Sequence, residues 1–228
     1  MTTQFRAQGK SAEIWLYDQV GKSFWGEGIS AKDFQKELSA LGKVSLINLR
    51  INSPGGDVFD GFAIYNQLRS HPARIVVDID GVAASISSII AMSGDEIRMA
   101  SNAMMMIHNP HGMAIGDSAE MKRVAALLDQ IKLNLAKTYA EKTGHNAHDI
   151  GLLMDDETWM DAEAAIASGF VDSITSEQKV SACYDMSAVY SKAPKLKSHQ
   201  HKHASSEHDI AVVRLSQQAK RLLAIASV

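Results

Sequence analysis

The sequence predicts an α/β fold with mainly parallel strands, on three observations. Short runs rich in branched apolar residues alternate with stretches whose apolar residues recur every three or four positions. Two of those runs end in glycine-bearing loops that lead into a helix, the connection expected of strand–helix units. One late stretch carries a single apolar stripe from Met121 to Tyr139.

The elements follow in order. Ile14 to Tyr17 is a short strand. Ser30 caps a helix reaching about Leu41, with Phe34, Leu38 and Leu41 on one face. Val44 to Ile51 is a strand that ends at Asn52-Ser53-Pro54-Gly55-Gly56. A helix over Asp57 to Ser70 turns Phe62, Ile64, Tyr65 and Leu68 inward. Arg74 to Ile79 is a buried strand, Gly81 turns the chain, and Ser85 to Met92 is a helix. Glu96 to Met99 and Met104 to Ile107 are short strands. The longest helix spans Asp117 to Glu141, with Met121, Val124, Leu128, Ile131, Leu135 and Tyr139 on its stripe. Helices at His148 to Met154 and Asp161 to Ser168, then a strand at Phe170 to Ile174, complete a domain over residues 1–176. Residues 177–228 are expected to be an exposed linker followed by an amphipathic stretch from Ile210 to Ile225.

Composition excludes several classes. The 228 residues are 46% hydrophobic, too rich for a disordered chain. A net charge of −3 gives no basic surface for nucleic acid or an anionic membrane. The one cysteine, Cys183, cannot form an internal disulfide, which suits a reducing compartment. No apolar run approaches the ~20 residues of a membrane span, and the start lacks a signal-peptide core, so a cytoplasmic protein is expected.

Three segments carry the chemistry. In Ile51 to Asp57, two adjacent glycines can aim backbone N–H groups into a cavity, donors that suit a developing oxyanion. In Gly81 to Ser88, Ser85 opens a helix after a buried strand, with small residues before it leaving room for a substrate carbonyl. In Met104 to His111, His108 ends an apolar strand and can present its imidazole to a cleft. Each has a plain alternative: a tight connection, an N-capping serine, a hydrogen-bonded structural histidine. Together, in this order, they supply nucleophile, base and oxyanion donors in one architecture.

The segments INSPGGDVFDGFAIY, GVAASISSIIAMSG and MMMIHNP resemble those of the Clp-type (caseinolytic) serine peptidases, and most of all the phage and prophage Clp-like head-maturation peptidases. The resemblance covers roughly Ile14 to Ile174. It implies a Clp/crotonase-like spiral of ββα units with a protruding handle helix at 117–141, here followed by a C-terminal extension. It implies Ser85 as nucleophile, His108 as general base, and the N–H groups of Gly56 and Ile86 as the oxyanion hole. Aligning the family's Gly-Leu-Val-Asp segment on Gly169-Phe170-Val171-Asp172 puts the third member, usually aspartate, at Glu157, with Asp156 the alternative. It implies no cofactor and no metal, although four tail histidines, His199, His201, His203 and His208, lie close together in the linker.

For partners the resemblance implies a homo-oligomeric ring and a protein or peptide substrate, possibly a phage capsid or scaffold protein. An unfoldase partner stays open. No gating segment is recognisable in Met1 to Lys10, and with the extension this favours an ATP-independent processing peptidase over a degradative chamber. Two other functions share the fold: a crotonase-type acyl-thioester enzyme, which needs no Ser–His pair, and a non-catalytic assembly protein.

Overall fold

The computed structural model describes residues 3–22, 28–178, 186 and 190–194. The chain divides into two compact units, Met1–Tyr184 and Asp185–Val228, and every element below belongs to the first. The expected linker and C-terminal amphipathic stretch lie almost entirely outside the described residues.

A mixed sheet is the scaffold. Its main path is β1 (Gln4–Gln8), β2 (Ser11–Leu16), β3 (Leu46–Ser53), β4 (Arg74–Ala84), β5 (Glu96–Ala100) and β8 (Ser173–Thr175). The strands β6 (Met104–Ile107) and β7 (Thr158–Met160) lie off that path. β1 and β2 form an antiparallel hairpin, and β2 to β5 and β8 run parallel. Alternation explains the layering. Ile14, Leu16, Ile47, Leu49, Ile51, Ile75, Val77 and Ile79 point into one core, while Glu13, Trp15, Arg50 and Asp78 take the opposite face.

The sequence places a turn at Gly81, but β4 continues through it to Ala84. The register with β3 slips there, from Ile51↔Ile79 to Ser53↔Ala83. Before the slip β4 pairs with β5, and after it with β6. Gly81 therefore marks a bulge where one strand changes neighbours. Asp80 is buried at this bend, where it accepts from Tyr17 Oη at 2.5 Å and from Arg50 Nε and Nη2 at 2.9 and 2.6 Å.

The helices are α1 (Ala31–Ala40), α2 (Val58–Arg69), α3 (Ile86–Ala91), α4 (Ser118–Thr143), α5 (Ala147–Asp155) and α6 (Ala162–Ala167). Ser30 caps α1 as expected, its hydroxyl accepting from Asp33 N. Ile64 and Leu68 of α2 are fully buried, and Phe62 and Tyr65 only partly. All six residues of α3 are buried.

The long helix α4 departs from its expected stripe. Only its C-terminal half is buried in the domain, through Ile131, Leu135, Ala136 and Tyr139, while Met121 and Leu127 are exposed. Two strands escape sequence patterning. β1 is an exposed edge strand of mostly polar residues, and β7 sits inside what reads as an acidic turn. Of the expected strand at 170–174 only Ser173 and Ile174 pair, and the strand runs on to Thr175, although Phe170 and Val171 are buried.

Candidate active site

Strand register brings the chemistry together. The second half of β4 pairs in parallel with β6 through Val82↔Met104, Ala83↔Met105 and Ala84↔Met106. Both strands end at the same level, so Ser85 and His108 emerge side by side although 23 positions separate them. His108 Nε2 lies 2.8 Å from Ser85 Oγ. With the ring proton on Nδ1, Nε2 accepts from the serine hydroxyl, the bond a general base needs.

The turn that presents Ser85 is strained. Ser85 has φ 57° and ψ −130°, outside the ordinary regions for a residue with a Cβ. Neighbouring bonds hold it there: Ser85 N donates to Met106 O at 2.9 Å, and Ser88 Oγ donates to Ser85 O at 2.6 Å. Ser88 Oγ also lies 2.7 Å from Tyr139 Oη, tying the base of α4 beneath the turn. The simple capping role is not what this serine does, because its side chain makes no cap hydrogen bond to α3. Ser87 is committed elsewhere, donating to Ala84 O and Ser53 O at 2.7 and 2.9 Å.

The diglycine loop is shaped by close approach. A Cβ on Gly56 would sit 2.0 Å from Val20 O, and one on Gly55 would sit 2.7 Å from both Ala84 O and Ser85 Cβ. Only glycines let the loop pass between the Val20 backbone and the Ser85 turn. Val20 N donates to Gly55 O and Asp57 N to Val20 O, each at 2.9 Å. That leaves Gly56 N facing away from Val20. Among the described residues neither Gly56 N nor Ile86 N has a backbone acceptor. Ile86 N follows the serine directly, the usual origin of an oxyanion donor.

The acid side is built by β7, which pairs antiparallel with β6 through Ile107↔Thr158, Met106↔Trp159 and Met105↔Met160. One further step along that ladder sets Glu157 across from His108. Glu157 itself has φ 48°, in the left-handed region. Trp159 lies two residues on and so on the same face of β7, and its Nε1 donates to Glu157 Oε1 at 3.2 Å. Asp156 is the exposed C-cap of α5. Burial pushes the His108 imidazole down to about 4. The nearby His111 ring, 5.5 Å away between centroids, pushes the same way, and the Glu157 carboxylate opposes both. His108 is thus neutral at pH 7, the form that can take a proton.

A match to the Clp protease family model covers residues 10–178. The chain belongs to the Clp protease family. It is similar to ATP-dependent Clp protease proteolytic subunit 1 of Leifsonia xyli subsp. xyli, with 34% identity over 167 residues, covering 72% of this chain and 83% of that protein. The corresponding subunit 1 of Protochlamydia amoebophila is 31% identical over 168 residues, covering 72% of this chain and 80% of that one. Among solved structures, a ClpP1 mutant from Listeria monocytogenes matches with TM-score 0.63 over 72% of this chain and 91% of that one. At 24% identity that likeness establishes the fold alone.

The protein is accordingly a Clp-type serine endopeptidase with the expected Clp fold. Family placement favours peptide hydrolysis over the acyl-thioester and non-catalytic readings of the same fold.

Among the described residues no group of three or more His, Cys, Asp or Glu could hold a metal ion, and no helix is long and apolar enough to cross a membrane. The four tail histidines lie outside the described residues.

Three site residues escape the sequence reading. Trp159 looks like core filler until β7 is recognised, and Asn109 looks like part of a turn. Gly61 of α2 packs against Ile86, where a Cβ would meet Ile86 Cγ1 at 2.1 Å. Its one signal in the sequence is a glycine inside a helix, which forgoes stability and calls for a packing reason.

Proposed function

We propose that Ser85, His108 and Glu157 act as nucleophile, general base and orienting acid, with Gly56 N and Ile86 N as the oxyanion hole. The 2.8 Å contact between His108 Nε2 and Ser85 Oγ, in a chain of a serine-peptidase family, is the observation that carries the reading. Ser85 Oγ attacks the scissile carbonyl carbon and its proton passes to His108 Nε2. The two amides take the charge on the carbonyl oxygen. The tetrahedral adduct collapses, the C–N bond breaks, and His108 returns the proton to the leaving amine. Water, deprotonated by His108, then cleaves the Ser85 ester and regenerates the hydroxyl. Glu157 stabilises the imidazolium formed in each half. Glutamate can do this in place of aspartate, and the Trp159 indole steadies the longer side chain. The register of β7 favours Glu157 over Asp156, which is one residue out of line with His108.

The natural role we propose is ATP-independent processing of a phage capsid or scaffold protein by a homo-oligomeric ring in the cytoplasm. The resemblance of the three motif segments supports it, as do the 50 residues, 179–228, that follow the matched region 10–178. The active unit in this reading is residues 1–176, and 177–228 recognise the substrate. A second reading, a degradative subunit fed by an ATP-driven unfoldase, is favoured by the relatives' names as ATP-dependent Clp protease proteolytic subunits.

One experiment separates the two. In cells making the Ser85→Ala protein, the processing reading predicts that one head protein accumulates uncleaved, and that purified wild-type enzyme cuts it without ATP. Accumulation of many unrelated proteins, with cleavage only when an unfoldase and ATP are added, selects the degradative reading.

A further inference from the structure

A second polar cluster stands beside the catalytic groups and is not part of them. Asn109, the residue after His108, donates from Nδ2 to Asp155 Oδ1 at 2.7 Å. Lys132 of α4 donates from Nζ to the same oxygen at 2.5 Å. One carboxylate oxygen therefore joins the loop that follows β6, the end of α5 and the middle of the long helix. The Asn109 amide first, and Lys132 second, hold the Asp155 carboxyl below the usual range, so it is an anion through the working pH range.

The placement gives this cluster leverage. Asp155 is the last residue of α5 and Asp156 its cap, and Glu157 follows in a left-handed conformation that a side chain adopts only when its surroundings hold it there. Two bonds close that turn, Asp156 N to Leu152 O and Glu157 N to Met154 O, both at 3.2 Å. A shift of the α5 end moves Glu157 with it. Asn109 lies one residue from His108, so the same anion fixes both sides of the proposed His–Glu contact. Asn109 can bond this carboxylate only through its amide nitrogen, which leaves its Oδ1 buried and without a partner among the described residues. The amide is thus held in one orientation at the cost of an unmet acceptor, as expected if orientation is what is selected.

We infer that Asp155, bridging Asn109 and Lys132, is a positioning residue that sets His108 against Glu157 and makes their alignment depend on the seating of the long helix. This rests on the proposed catalytic roles of His108 and Glu157. Asp155 touches no reacting atom, so its effect falls on kcat with little change in KM. Loss of an outer partner that orients a catalytic group costs roughly tenfold or more.

The test uses the full chain and a fluorogenic peptide, with sedimentation and thermal melting recorded for each variant. Asp155→Ala should lower kcat roughly tenfold, with KM within about twofold and the wild-type oligomer retained. Lys132→Met, which keeps the Asn109 bond, should lose less. Asn109→Asp sets two carboxylates together and should be the most damaging. The double variant Asn109→Asp/Asp155→Asn restores one donor and one acceptor, and should regain most of what Asn109→Asp loses. Wild-type kcat in Asp155→Ala overturns the inference. So does a loss that comes with a lower melting temperature, a smaller oligomer and no recovery in the double variant, which would mark a purely structural bond. Ser85→Ala is run in parallel. Hydrolysis surviving there overturns the catalytic assignment underneath, whereas an inactive Ser85→Ala beside a fully active Asp155→Ala overturns this inference alone.

Discussion

Gly61→Ala should slow the enzyme far more than it destabilises the fold. Helix propensity argues for the change, since alanine in a helix interior is favoured over glycine by about 1 kcal/mol. Packing argues against it. The new Cβ would lie 2.1 Å from Ile86 Cγ1, 3.1 Å from its Cδ1 and 3.2 Å from its Cβ. Carbon atoms in contact sit about 3.5 to 4.0 Å apart, so Ile86 or α2 must retreat by roughly 1.4 Å. Ile86 is itself fully enclosed in the core, so the movement is shared with the α3 turn. Overpacking of this kind costs about 1–3 kcal/mol, leaving a net destabilisation of about 0–2 kcal/mol. In a chain of this size each kcal/mol moves Tm by about 2–4 °C.

The catalytic cost is larger, because Ile86 N is the proposed oxyanion donor and its neighbour is Ser85. A misplacement of about 1 Å at a reacting group can cost on the order of 10²-fold in rate. Hydrolysis of a fluorogenic peptide, followed with thermal melting, should show kcat reduced by roughly that factor with Tm lowered by no more than about 8 °C. The double variant Gly61→Ala/Ile86→Ala, which vacates the contested space, should recover rate even though it gives up core packing. A Gly61→Ala enzyme with wild-type kcat would refute the claim that this contact positions the oxyanion amide.

Four further outcomes follow from the same geometry. Glu157→Gln should slow hydrolysis strongly and Asp156→Asn little, both being near-isosteric; the reverse order in measured kcat would shift the acid by one residue. The acid limb of kcat/KM should fall well below pH 6.5, toward pH 4, because burial holds His108 neutral. The same shift sets a stability slope: the unfolded histidine protonates near 6.5 and the folded one near 4, so stability is full above pH 6.5 and about 3 kcal/mol is lost as pH falls to 4. Chemical denaturation at several pH values measures that slope, and a flat profile would contradict the burial of His108. Leu127→Glu, on the exposed apolar side of α4, should yield smaller species in sedimentation if that face packs against neighbouring subunits.

Much of the site is legible in the sequence because its parts sit at element ends. Ser85 follows an apolar strand and opens a helix, and His108 ends another strand, so both are marked by a change of period. The meeting of the two depends on the Ala84↔Met106 register, which no local pattern encodes. Gly81 illustrates the limit of local reasoning. A glycine after a buried run reads as a turn, yet here it lets one strand bend and exchange β5 for β6, a tertiary event.

β7 shows the same limit in the other direction. Three residues after an acidic run have no visible alternation, and only pairing with β6 makes them a strand. Without that strand nothing in the residues themselves separates Glu157 from Asp156. The stripe on α4 is apolar along its length, but burial follows the domain it lies against, so Met121 is exposed and Val124 and Leu128 are only half-buried. β1 carries no such signal, because an edge strand open to solvent needs no apolar face.

In the proposed mechanism Ser85 is the nucleophile, made reactive by His108. The most direct test is to treat the wild-type protein with a fluorophosphonate and locate the adduct by mass spectrometry. The adduct should form on Ser85 alone, be absent from Ser85→Ala, and form far more slowly in His108→Ala. An adduct on Ser87 or Ser88, or hydrolysis that survives Ser85→Ala, would contradict the account.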